Sequence, residues 1–235
     1  APSPMPNIPF NLILVPQGAE YKAISRALRQ INVTLPVIPI PVGVNSVKAF
    51  LDNLSAFPEI VNHPQSKILL MGVCGSLSPR YQVGDVVIYH NCIYHQDDNI
   101  LIESCDVELI TWLQDKLKNQ ANIVQSLTSD RVVSTATEKQ ILQQKYNTDV
   151  VDMEGFAVLQ NLKKSGFSVA MLRVISDNSH HNIPDLSQSI DTQGNIKPLP
   201  LAIAMLKQPI AAARLISGAL QALKVLQKIT TIIFV

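Results

Sequence analysis

The sequence predicts an α/β protein, a three-layer α/β/α sandwich around a central mixed, largely parallel sheet. Three observations lead there. Apolar, β-branched runs recur, each followed by a turn and a helical pattern. One of them, KILLMGV (67–73), is continuously apolar, as a strand buried on both faces must be. No repeat, low-complexity tract or linker breaks the alternation, so residues 1–235 are expected to form one domain around a single large core. With 47% hydrophobic and 16% charged residues, the composition excludes a disordered chain.

Taken in order, FNLILV (10–15) reads as a strand and EYKAISRALRQI (20–31) as a helix. VIPIPV (37–42) is a strand whose prolines place it at an edge or an end. NSVKAFLDNL (45–54) is a helix capped by Asn45 or Ser46. KILLMGV leads into GVCGSL (72–77), expected to be a small-residue turn that lets a ligand approach the backbone. Then come the strand-like GDVVIYHNCIY (84–94), the helix VELITWLQDKL (107–117) and the strands NIVQSLTS (122–129) and DVVDM (149–153). EGFAVLQNLKK (154–164) carries its glutamate at the positive end of a helix and Lys163–Lys164 at the negative end. SVAMLRVIS (168–176) returns as a strand. Residues 209–235 spread apolar side chains over one helical face, including Ile210, Leu215, Ile216, Leu220, Leu223 and Leu226. That face is expected to pack on the core; contact with a membrane surface is the weaker alternative.

The functional signal lies at the junctions. Two carboxylates, Asp152 and Glu154, interrupt an apolar run, and a buried carboxylate is costly without a partner or a task. If 149–153 and 168–176 belong to one strand–helix–strand unit they run parallel. Glu154 and Asp177 then share the sheet edge where open α/β sheets bind ligands, with the 72–77 turn beside them.

VVDMEGFAV (150–158), RVISDNS (173–179) and GVCGSLSPRYQVGDVVIY (72–89) resemble the purine nucleoside phosphorylase / methylthioadenosine (S-adenosylhomocysteine) nucleosidase superfamily. The tail from Asp191 resembles hopanoid-associated phosphorylase-like members. The resemblance implies a nucleoside phosphorylase-like fold and cleavage of the bond between a purine base and ribose. Asp177 matches the general acid to the base, steered by Ser176; Glu154 matches the ligand of the ribose hydroxyls, Met153 the residue packed on the sugar, and Arg173 the partner of Glu154. Val132 and Val133 fall beside the base, without the aromatic residue that nucleosidases use there. Val73, Cys74 and Gly75 complete the expected substrate-binding set.

Water and phosphate remain alternatives as attacking group. The arginines that phosphorylases place around phosphate are missing from 15–24 and 66–75, leaving Ser76, Lys22 and backbone amides. Glu20, or Tyr21 with a one-residue shift, matches the position where a nucleosidase carboxylate orients water, and Val73 replaces a water-binding serine. Hydrolysis is expected, a phosphorylase is the alternative with phosphate as co-substrate, and a non-catalytic nucleoside-binding relative is a third reading.

A formal charge of +1 argues against nucleic acid as a partner. Three cysteines without metal-like spacing, and no basic-then-apolar start, suggest a cytoplasmic setting. No cofactor and no metal are expected: His180 and His181 are adjacent, so their side chains diverge, and His90 and His95 read as surface or contact residues. The resemblance implies a homodimer.

Overall fold

The computed structural model describes residues 7–53, 57 and 65–235; Leu54, the last residue of the second predicted helix, lies outside them. Its strands are β1 (Leu12–Pro16), β2 (Val37–Ile40), β3 (Lys67–Ser76), β4 (Val86–Gln96), β5 (Asn99–Ser104), β6 (Asn122–Thr128), β7 (Val150–Asp152) and β8 (Ser168–Asp177). The helices are α1 (Ala19–Gln30), α2 (Val44–Asp52), α3 (Val107–Lys116), α4 (Ala136–Tyr146), α5 (Gly155–Lys164), α6 (Pro198–Lys207) and α7 (Pro209–Ile233).

The strands form one mixed sheet in the order β2-β1-β3-β7-β6-β4-β5. β8 joins β3 to β4, so the central strands close on themselves. β1 and most of β3 are continuously apolar and buried, and β8 is buried and apolar except at Arg173, as suits strands covered on both faces. α1, α3 and α7 pack together on one side, while α2 packs with α5. The expected α/β architecture is therefore present.

Several local expectations are corrected. GVCGS is no turn: β3 continues through it to Ser76, because it gains partners on both sides, β8 to Asp177 and β7 at Gly75–Ser76. β7 lies antiparallel to β3, whereas β8 is parallel to it, so β7 and β8 do not run parallel. The junctions still converge, because Gly75 is paired with Val151 on one side and Asp177 on the other. α2 is preceded by Gly43, in the left-handed region at φ 98°, and not by an Asn45 or Ser46 cap. α5 starts at Gly155, with Glu154 as the residue before it.

Three elements were unpredicted, one of them α6 (Pro198–Lys207). A turn at Asp97, φ 53°, folds β5 back on β4, and α4 begins where the Thr135 hydroxyl accepts from the Glu138 amide. The C-terminal helix packs on the core as expected, with Leu226 buried and Leu223 against it, but its inner face is shifted from the expected one. Ala211, Ala212, Gly218, Ala222, Leu226 and Ile229 are buried, while Ile210, Ile216 and Leu220 face solvent. Small residues win the inner side because α7 lies close on β8: a side chain at Gly218 would collide with the carbonyl oxygen of Ser176.

Candidate active site

Arg173, in the middle of β8, is completely buried, and a buried guanidinium requires anionic partners. Its Nη2 donates to Asp152 Oδ2 at 2.8 Å and to Glu154 Oε2 at 3.4 Å, and its Nη1 donates to the Val73 carbonyl at 3.1 Å. Asp152, rather than Glu154, is thus its closer carboxylate. The Thr128 hydroxyl (2.9 Å) and the Gly155 amide (3.0 Å) also donate to Asp152. With every direction of approach taken by the protein, Asp152 fixes the arginine and the start of α5.

Glu20 enters the same group from the first turn of α1, accepting from the Val73 amide at 2.9 Å. Tyr21, the alternative by one residue, packs against the core instead. Gly72 makes the arrangement possible, since a side chain there would collide with Glu20 Oε2 and approach Arg173 Nη1 to 2.8 Å. Three carboxylates therefore surround one guanidinium. Burial pushes Glu20 up to about 7, opposed by Arg173 and reinforced by Glu154. Burial likewise raises Glu154 to about 7, with Arg173 and the Gly43 amide working against the rise and Asp152 adding to it. Both glutamates change charge near neutrality.

Asp177 lies three residues further along the sheet, roughly 10 Å at a strand's rise, since Arg173 is in register with Gly72 and Asp177 with Gly75. Its Oδ1 accepts from the Ser176 hydroxyl at 3.2 Å. Its Oδ2 accepts from Lys139 Nζ at 2.7 Å. Lys139 is fully buried in the first turn of α4, and its remaining protons go to the carbonyls of Asn178 (2.6 Å) and His181 (3.3 Å). Sequence reasoning missed this lysine together with its helix. The signal was TATE, residues 135–138, whose Thr-x-x-Glu spacing marks a helix start.

Other predicted site residues divide. Met153 and Val132 line a cavity of about 270 Å³, closed by residues 42–46 and 186–192. Ser176 and Asp177 line another, of about 490 Å³, against α7. Val133 lines neither; it is buried in a small cluster with Leu77, Ile93, Leu127 and Val151. Val73 contributes its backbone alone to the carboxylate group, and Gly75 pairs with Asp177. Cys74 is buried, which raises its thiol and leaves it protonated, and its carbonyl accepts from Ser176.

The candidates for phosphate binding are otherwise engaged: Ser76 is buried and donates to the Ser78 carbonyl at 2.7 Å, and Lys22 is exposed on α1. Arg131, at the cavity rim, pairs with Glu138. Among the described residues, no group of three His, Cys, Asp or Glu side chains could hold a metal ion.

The sequence pattern of the Phosphorylase superfamily matches residues 55–196, more than half of the chain. No curated protein matches it in sequence. Solved structures match throughout. One is the 5′-methylthioadenosine/S-adenosylhomocysteine nucleosidase of Helicobacter pylori with butyl-thio-DADMe-Immucillin-A (TM-score 0.64, 15% identity, 92% of this chain and 95% of that one). A second is the futalosine hydrolase of Helicobacter pylori strain 26695 (0.64, 16%, 92% and 95%). A third is the S-adenosylhomocysteine nucleosidase of Streptococcus pyogenes with 5-methylthiotubericidin (0.63, 16%, 93% and 94%). At these identities the likeness is one of fold.

Proposed function

This chain belongs to the Phosphorylase superfamily, and we propose that it hydrolyses the N-glycosidic bond of a purine, adenosine-type nucleoside. One observation carries the choice of water over phosphate: Glu20, Asp152 and Glu154 gather around the single guanidinium of Arg173, which is already committed to Asp152 and the Val73 carbonyl. A phosphate dianion would meet net negative charge there, whereas a water finds an acceptor.

In the proposed reaction, Glu154 accepts hydrogen bonds from the ribose hydroxyls, and Met153 packs on the sugar. As the bond from C1′ to the base breaks, C1′ takes on oxocarbenium character and the base gathers negative charge. Asp177, once it has taken up a proton against its ion pair with the Lys139 ammonium, passes that proton to N7. The carboxylate left behind is received by the Lys139 ammonium and the Ser176 hydroxyl, which lowers the cost of the transfer. Water oriented by Glu20 attacks C1′ and gives its proton to the Glu20 carboxylate, and Asp177 regains a proton from solvent before the next turnover. The three-residue separation of the Glu154 and Asp177 levels suits a sugar at one and a base at the other. The neighbours that bind nucleoside analogues, and the futalosine hydrolase, support the class of substrate.

The test is base release from a panel of nucleosides, among them methylthioadenosine and 5′-deoxyadenosine, with and without phosphate. Equal release in both buffers, abolished in Asp177→Asn, is the expected result. Release only with phosphate makes the protein a phosphorylase; tight nucleoside binding without release, unchanged in Asp177→Asn, makes it a binding protein.

A further inference from the structure

The near-zero net charge conceals a split. Residues 192–235 hold five basic residues, Lys197, Lys207, Arg214, Lys224 and Lys228, and no Asp or Glu. The preceding 191 residues keep 14 basic against all 18 acidic ones, a net −4.

The same segment is apolar where it meets solvent. α6 has no buried residue, and Leu199 (71% exposed), Ile203 (45%) and Leu206 (80%), spaced i, i+4, i+7, lie along one side of it. On α7, Ile210 (70%), Ile216 and Leu220 are exposed as well. Nine of the fourteen large hydrophobic residues exposed among the described residues fall between Ile196 and Val235, one-sixth of the chain.

α7 is also divided by function around its axis. Its inner side packs on α1 and β8. At 100° per residue, its outer side has an apolar edge through Ala213, Ile216 and Leu220 and a basic edge through Arg214, Lys224 and Lys228. Exposed apolar side chains beside unopposed cations are the pattern of a helix that lies in the interface of an anionic bilayer. Two of the five cations are offset from just outside the segment: Asp185, whose amide donates to Gln208 between the two helices, acts on Lys207, and Asp191 acts on Lys197. α7 is 25 residues and apolar enough to cross a membrane. Spanning, however, would pull Ala222, Leu226 and Ile229 out of the core and leave three charges in hydrocarbon.

We propose that the α6–α7 face docks this protein on an anionic lipid surface. α6 enters the headgroup region through Leu199, Ile203 and Leu206, the α7 lysines meet lipid phosphates, and the inner side of α7 stays on the fold.

Flotation of the intact protein with vesicles tests this. Phosphatidylcholine vesicles carrying about 30% phosphatidylglycerol should bind at least about tenfold more protein than phosphatidylcholine alone, with binding lost between about 0.05 and 0.5 M salt. The triple variant Leu199→Gln, Ile203→Gln, Leu206→Gln should lose that binding without a change in Tm, since none of the three is buried. Lys224→Glu with Lys228→Glu should lose it independently. No preference for anionic vesicles, or binding indifferent to both variants, overturns the proposal. A concentration-dependent dimer that the glutamine variant dissolves, without vesicle binding, overturns it in favour of a second copy of this chain on the same face.

Discussion

Replacing Glu20 with Gln should make the protein more stable and nearly inactive. Gln retains an acceptor for the Val73 amide but not the charge. The glutamate's folded pKa of about 7 stands above its ordinary 4.5 because burial disfavours the carboxylate. A raised acid favours the fold while it is protonated. That contribution is full below about pH 4.5 and is lost as pH rises through about 7. Ionisation at pH 8 therefore costs the folded state up to about 3 kcal/mol at 1.36 kcal/mol per pKa unit, less for Glu20's partial exposure and any local relaxation. Glu20→Gln escapes that cost and the repulsion from Glu154 that adds to it. An increase of about 1–3 kcal/mol, or roughly 3–10 °C in Tm, is expected at pH 8, shrinking toward zero by about pH 5. Activity moves the other way. Without a group to orient water and take its proton, kcat/KM should fall by about 10²-fold or more. In the parent protein, kcat/KM should fall with acid below about pH 7, on a limb that belongs to Glu20 and Glu154 together because they share Arg173. Thermal unfolding between pH 5 and 8, with pH-rate profiles of both proteins, reads all of this. A Gln variant less stable at pH 8, or one with normal turnover, would refute the reasoning.

Other perturbations separate positioning from packing. Lys139→Met removes a buried cation that holds Asp177 and two carbonyls, and should cost about 3 kcal/mol, the low end for a broken buried pair because Asp177 is partly exposed. A double-mutant cycle with Asp177→Asn should return a coupling of about 1 kcal/mol or more; additive effects would show that the pair does not act as a unit. Gly72→Ala forces Glu20 and Arg173 aside and should lower kcat more than it raises KM, with about 1–3 kcal/mol lost in unfolding experiments. Asp152→Asn leaves Arg173 without its closest carboxylate and should lower activity sharply and move the near-neutral acid limb to lower pH, since the Asp152 charge raises both Glu20 and Glu154; the pH profile of the residual turnover reads the shift.

Much of this was legible in sequence where one segment reports its own environment. Apolar runs announced β1, β3 and, but for Arg173, β8, and the carboxylates at 152–154 announced the buried charge cluster that forms the candidate site. What could not be read was pairing between distant segments. GVCGS looks like a turn until β7 and β8 are placed on either side of it, and nothing within DVVDM states that β7 runs antiparallel to β3. Asp152 seemed the lesser of two carboxylates because its partners, Thr128 and Arg173, come from other strands. On α7, periodicity marked large apolar residues for burial, yet the close approach to β8 at Gly218 leaves no room for a side chain, and alanines share the inner side with Leu226 and Ile229. Lys139 was hidden differently: its helix has little apolar periodicity, and the capping pattern at Thr135 was its one local signal.

The most direct test of hydrolysis is the origin of the oxygen left on C1′. Turnover of a released nucleoside in ¹⁸O-water with phosphate present, followed by mass spectrometry of the sugar, should give free sugar carrying the heavy oxygen. A sugar 1-phosphate without it would contradict the account, and would mean that the carboxylates around Arg173 admit an anion.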